Sequence, residues 1–259
     1  MKNQILILTR LVTIITLVIL IYPCSNASAQ EVSIYQFRYV PADKVDEFIK
    51  RETTYWSKVA QKAVKGKKLS FWGLFEKVGG AEDASHPNFL FINTYSNIDS
   101  TGDIWNASAV FPKVPMTQME DYSFTTTLAT YFLQSRGWEQ APGITEKKDF
   151  RYVLFNFHNS TDPESFVAGE NKVWAPFIKT AMEKNQTTQK GWGNGVVLVP
   201  GYEAKFNSVS FDLYPTLTDL LMQKWDSQVV FPMDGLQELN KLRPTAPGRE
   251  IYRVVMVVN

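Results

Sequence analysis

The chain has almost no sulfur chemistry and little with which to hold a metal. Of 259 residues one is cysteine, Cys24, and two are histidine, His86 and His158. Cys24 falls in a leader that is expected to be removed, so the mature chain has no cysteine, which excludes disulfides and thiolate metal sites. No histidine–carboxylate spacing resembles a zinc or non-haem iron motif, and neither a metal nor a cofactor is expected. Charge of one sign is lacking too. There are 27 basic and 26 acidic residues, and the leader takes Lys2 and Arg10 but no acid, leaving 25 against 26. With no basic cluster, there is no electrostatic case for nucleic acid or an anionic membrane as partner. The one long apolar run, residues 11–22, is short for a bilayer span. It follows Lys2 and Arg10 and precedes Ala27-Ser28-Ala29. This is the layout of a signal peptide cleaved after Ala29, predicting a periplasmic or secreted protein with no stable membrane insertion. A lipoprotein anchored through Cys24 is the minor alternative, because Ile21-Tyr22-Pro23 are not the small residues such a site prefers.

What the chain does have is a duplication. An offset of 118 places Glu52 and Trp56 on Glu170 and Trp174, Phe48 on Phe166, and Tyr35, Phe37, Tyr39 on Val153, Phe155, Phe157. Further on the offset is 120, and Trp72-Gly73 meets Trp192-Gly193 while Trp105 and Val110-Phe111-Pro112 meet Trp225 and Val230-Phe231-Pro232. Of seven tryptophans only Trp138 has no partner. The matches divide the chain into a leader (1–29), a first copy (30–138), a linker (139–149) around Pro142-Gly143, and a second copy (150–259).

Each copy reads β-α-β-β-α-β. In the first copy, residues 32–40 alternate as a strand, residues 43–65 carry a helical apolar stripe through Phe48 and Trp56, and strands follow at 71–78, 89–95 and 127–135. A second helix is expected around Ile104 and Trp105. In the second copy the strands fall at 152–158, 196–199, 207–214 and 251–258. Asp162-Pro163 opens its first helix, Pro176 is expected to kink it, and a second helix is expected through Leu220 and Trp225. The predicted class is α+β: two tandem ferredoxin-like domains whose antiparallel sheets, each bare on one face, pack face to face as a pseudo-dimeric barrel. This order and the duplication resemble the dimeric α+β barrel superfamily, a resemblance of topology with no catalytic motif matched. That superfamily includes antibiotic-biosynthesis-type monooxygenases, stress-responsive barrel proteins and haem-handling members. The resemblance implies a monomer that is its own pseudo-dimer.

If the most apolar strand faces (Tyr35, Phe37, Tyr39 and Val153, Phe155, Phe157) pack on helices, the alternate faces point between the sheets. Arg38, Asn93, Asn156, His158 and Asp212 would then line an aromatic space suited to a small molecule, or simply pair with one another, Arg38 with Asp212 in particular. A second constellation is the repeated Glu-x-x-x-Trp, in which Glu52 and Glu170 sit on apolar stripes where burial raises a carboxyl pKa. Its placement on the helix-facing side of the sheet conflicts with the first. The leading expectation is binding of a small ligand between the sheets. A cofactor-independent monooxygenase acting on an enolisable or aromatic substrate is the enzyme alternative, with Arg38 stabilising an oxyanion, His158 as base, and Glu52 and Glu170 as further candidates. A structural or interaction protein with a filled barrel is the third.

Overall fold

The computed structural model describes residues 31–81, 83–99, 104–144, 149–201 and 204–259. The leader, its cleavage point and Cys24 lie outside them. The first copy comprises β1 (Val32–Tyr39), α1 (Val45–Arg51), a π-helical turn (Glu52–Trp56), α2 (Ser57–Lys65), β2 (Leu69–Lys77), β3 (Phe89–Tyr95), α3 (Met116–Met119) and β4 (Thr126–Gln140). The second comprises β5 (Tyr152–His158), α4 (Pro163–Glu183), β6 (Gly191–Val199), β7 (Ser208–Tyr214), α5 (Leu217–Met222), α6 (Met233–Lys241) and β8 (Gly248–Val258).

The strands form one closed barrel in the order β1-β3-β2-β8-β5-β7-β6-β4. Within it the first copy contributes the run β4-β1-β3-β2 and the second β8-β5-β7-β6, each the ferredoxin-like order. The two sheets join where β2 pairs with β8 and β4 with β6, both antiparallel. Closure leaves no sheet edge unpaired. No helix among the described residues is long and apolar enough to cross a membrane.

The barrel interior corrects the expectation about strand faces. Tyr35, Phe37, Phe75, Val153 and Phe155 are buried together inside it. Rings from the two copies meet there edge to face: Tyr35 with Phe155 at 6.2 Å between centroids, Phe37 with Phe157 at 5.8 Å and Phe75 with Phe155 at 6.2 Å. Such pairs add about 0.5–1.5 kcal/mol each beyond the area they bury. The Trp-Gly dipeptides serve this core. A Cβ on Gly73 would stand 2.6 Å from the Phe75 ring, and one on Gly193 would collide with Phe211, so each glycine makes room for a phenylalanine. The alternate face, with Trp72, Trp192, Asn156 and His158, lies outside, beneath the helices.

The helices also depart from expectation. Asp162 caps α4 by accepting from Ser165 N at 3.0 Å, with Pro163 in the first turn, and α4 runs unbroken through Pro176. No helix forms at Ile104–Trp105; a 3-10 turn (Ala107–Ala109) and the four-residue α3 replace it. Leu220 is helical, but α5 ends before Trp225, and α6 follows it. Short elements closed by Pro112, Pro115 and Pro232 carry too little apolar periodicity to be read.

Candidate functional site

The strand register realigns the two copies. Trp72 faces Asn93 and Leu74 faces Phe91 across β2–β3, as Trp192 faces Asp212 and Asn194 faces Ser210 across β6–β7. Arg38 lies opposite Phe89, and His158 opposite Ser208. Arg38 therefore corresponds to His158, two residues away from the pairing of Arg38 with Asn156 that the offset of 118 implies.

In the first copy the layer between sheet and helices is filled. Phe48 packs on Phe89 and Phe91, at 4.7 and 6.0 Å. Arg38 lies over the Phe91 ring at 4.4 Å, accepted by Gln36 Oε1 at 3.1 Å and paired with Asp121 at 3.3 Å. It does not meet Asp212, which belongs to the other copy. Trp56 Nε1 donates to the Met119 carbonyl at 2.9 Å, closing the layer. Glu52 and Asn93 are buried within it. Burial, then the neighbouring Asp121, push the Glu52 carboxyl well above its usual range, with Arg38 pulling the other way.

The second copy keeps the scaffold and leaves a cavity of about 300 Å³ in the same layer. Its floor is the outward face of the sheet: Asn156 and His158 from β5, Trp192 from β6, Ser210 and Asp212 from β7. Its roof is α4, whose Phe166, Glu170 and Trp174 recur every fourth residue and so share one face. Trp225, Phe231, Arg243 and Arg249 form the rim. At the rim Trp225 lies 6.3 Å from Trp174 and 5.0 Å from Phe231.

The polar groups form two linked clusters. Asp212 accepts from Asn156 Nδ2 at 3.2 Å and Gln189 Nε2 at 2.7 Å. Burial nevertheless pushes its carboxyl up to about 6. Glu170 accepts from Asn194 Nδ2 at 3.0 Å; burial pushes it up to about 7, opposed by the bonds from Asn194 and Ser210. His158 Nε2 lies 3.0 Å from Ser210 Oγ, while its Nδ1 is buried with no partner. Burial, then the charges of Arg243 and Arg249, bring its pKa down to about 3, so the ring is neutral at pH 7. Ser210 thus stands between His158 and Glu170.

Of the residues singled out in the sequence, Asn156, His158, Asp212 and Glu170 come together, though beneath the helices and not between the sheets. Arg38, Asn93 and Glu52 lie in the first copy's filled layer, so Arg38 cannot supply an oxyanion partner to His158. The conflict between the two constellations disappears, because the outward strand face and the helix stripe bound one space. Gln189, Asn194, Ser210, Arg243 and Arg249 were missed. For Asn194 and Ser210 a signal existed: they stand where the first copy has Leu74 and Phe91. The arginines, in a segment without internal match, carried none. His86 lies apart, against Asp83 at the mouth of the barrel, where a second cavity of about 320 Å³ opens over Phe37, Tyr131, Phe157 and Phe206. Among the described residues no group of three or more His, Cys, Asp or Glu is placed to hold a metal ion.

No protein-family description and no curated protein matches the sequence. Solved structures do match the fold. A candidate monooxygenase from Lactobacillus acidophilus NCFM superposes with a TM-score of 0.54 at 9% identity, over 88% of this chain and 95% of that one. A candidate monooxygenase from Fusobacterium nucleatum gives 0.54 at 14% identity, over 90% and 95%. An anthrone oxidase-like protein gives 0.52 at 12% identity, over 90% and 94%. The chain shares with these structures its fold, two ferredoxin-like sheets closed into one eight-stranded barrel, formed here within a single chain. At these identities the likeness concerns fold alone.

Proposed function

We propose that the protein binds a small, partly apolar molecule in the cavity beneath the helices of its second copy. The observation that carries this reading is the contrast between copies: one scaffold, with the layer filled by Phe89, Phe91 and Leu74 in the first, and in the second a cavity lined by Ser210, which stands where the first copy has Phe91. Aromatic walls around a few buried polar groups are what a ligand pocket requires. The barrel closes within one chain, which favours a monomer as the binding unit, and the leader favours export to the periplasm or beyond. Aromatic fragments screened by saturation-transfer NMR should yield binders of the wild-type protein. Ser210→Phe, which restores the residue found in the first copy, should abolish their binding. Binders that S210F leaves untouched would place the ligand elsewhere and defeat the reading.

A second reading, as an oxygenase, is favoured by Glu170, a carboxyl brought to about 7 beside the cavity, where proton transfer near neutral pH is efficient. Glu170 would take a proton from a methylene activated by flanking rings or a carbonyl. The carbanion would then reduce O2, one oxygen atom remaining as a carbonyl and the other leaving as water with the two methylene hydrogens. His158, brought to about 3, is the poorer base. Oxygen uptake with anthrone as probe should fall at least about 100-fold in Glu170→Gln, the lower end of what a general base contributes. Equal uptake by wild type and E170Q would exclude this role.

A further inference from the structure

Four of the chain's arginines pair with carboxylates among the described residues. Arg38 pairs with Asp121 at 3.3 Å, Arg51 with Glu47 at 2.5 Å, Arg136 with Glu164 at 2.7 Å, and Arg253 with Glu76. Arg243 and Arg249 form no ion pair with any described residue, and both line the cavity of the second copy. Arg243 follows α6, and among the described residues its side chain donates to Asn240 Oδ1 alone, at 2.8 Å. Arg249, on β8 opposite Asn156 of β5, makes no side-chain hydrogen bond to a described residue. Two cations side by side at the rim of one pocket repel each other and are incompletely satisfied until an anion joins them. Arg243 is lowered from its ordinary value by burial first; Glu170 raises it, and Arg249, to a smaller extent, lowers it.

We infer that the ligand of this cavity is an aromatic carboxylate, its carboxylate held at the rim by Arg243 and Arg249 and its rings lying against Trp174, Trp225 and Phe231. The inference rests on the cavity being a binding site, and adds the ligand's charge and orientation. Planar guanidinium forks match a carboxylate with two parallel hydrogen bonds. The opposite orientation would drive the carboxylate toward Asp212 and Glu170, like charges in a poorly solvated space. The volume, at the small end of ligand pockets, suits one or two fused rings.

The test compares 1-naphthoate, its neutral isostere 1-naphthamide and 1-naphthyl phosphate, titrated against the protein by calorimetry. Naphthoate should bind about tenfold or more tightly than the amide, and added salt should narrow the gap. Arg249→Gln and Arg243→Gln should each weaken naphthoate about tenfold and leave the amide within about twofold, and Arg249→Lys should recover part of the loss. Equal binding of naphthoate and naphthamide, both abolished by S210F, would overturn the carboxylate while leaving the cavity as a site. Preference for the phosphate would overturn the carboxylate in favour of another anion. Failure of every aromatic fragment would overturn both the inference and the reading on which it rests.

Discussion

The two copies differ most where they share most. Each packs a tryptophan from its first helix beside one from the connection after its third strand, Trp56 with Trp105 at 6.5 Å and Trp174 with Trp225 at 6.3 Å. Each buries a glutamate one turn before the helix tryptophan. Yet Phe48 finds a phenylalanine beneath it and its counterpart Phe166 finds His158, at 4.9 Å. In the first copy a folded-in segment, from Ile104 through Met119 to Asp121, supplies apolar bulk and a countercharge to Arg38. In the second, the corresponding stretch leaves the space open. Both layers bury polar groups, which cost stability unless partnered, but in the second they line a cavity.

The contrast can be pressed hardest through the matched core tryptophans. Trp72 and Trp192 are both 1% exposed. Trp72→Ala leaves a void in a filled layer and should cost about 4 kcal/mol, whereas Trp192→Ala enlarges an existing cavity, removes fewer contacts and should cost about 3 kcal/mol. Urea unfolding of the two variants measures the difference; a larger loss in W192A would mean that the second layer is the better packed. Next in size is the pH response of Glu170, which faces Asn194, Ser210, Asp212 and Arg243. Its carboxyl goes from the ordinary 4.5 to about 7 on folding, so the folded state holds the extra proton. Its contribution therefore falls as pH rises from about 4.5 to about 7 and stays reduced above that. The loss is about 3 kcal/mol, and Glu170→Gln should remove it from the stability difference between pH 4 and pH 8. An unchanged pH slope in E170Q would show that the carboxyl is not held as described. His158 works with the opposite sign, because it is neutral when folded and destabilises progressively as pH drops below 6.5. The smallest effect compares the corresponding residues Arg38 and His158. Arg38→Met strands Asp121 without its cation and should cost about 2 kcal/mol, discounted for partial exposure. His158→Leu replaces a half-satisfied ring and should cost about 1 kcal/mol or less, mainly through Ser210. Equal thermal shifts in R38M and H158L would erase the distinction between the layers.

Much of this architecture was legible in the chain. Phe89–Tyr95 and Tyr152–His158 stand as strands at the residues where alternation places them, and the tryptophan and Val-Phe-Pro matches carry the duplication. Three things misled. The first half of β6, Gly191–Gly195, is too rich in glycine to look like a strand, yet it pairs with both β4 and β7, and Gly193 leaves room for the Phe211 ring. The segments after β3 and β7 lack the periodicity that would locate their short helices. The register of β1 against β5 differs by two residues from that of the helices beside them, which hid the correspondence of Arg38 with His158.

The sequence by itself determined the repeat, the order of elements, and two residue sets on each strand, one aromatic and one mixed. Only the tertiary structure decided which set points inward. Alternation separates two faces but does not orient them, and in a closed barrel under helices both faces are buried, so polarity does not distinguish them. Closure did, since eight strands converging on one axis are filled by the rings of Tyr35, Phe37, Phe75 and Phe155. That left Asn156, His158, Ser210 and Asp212 beneath α4, facing Glu170.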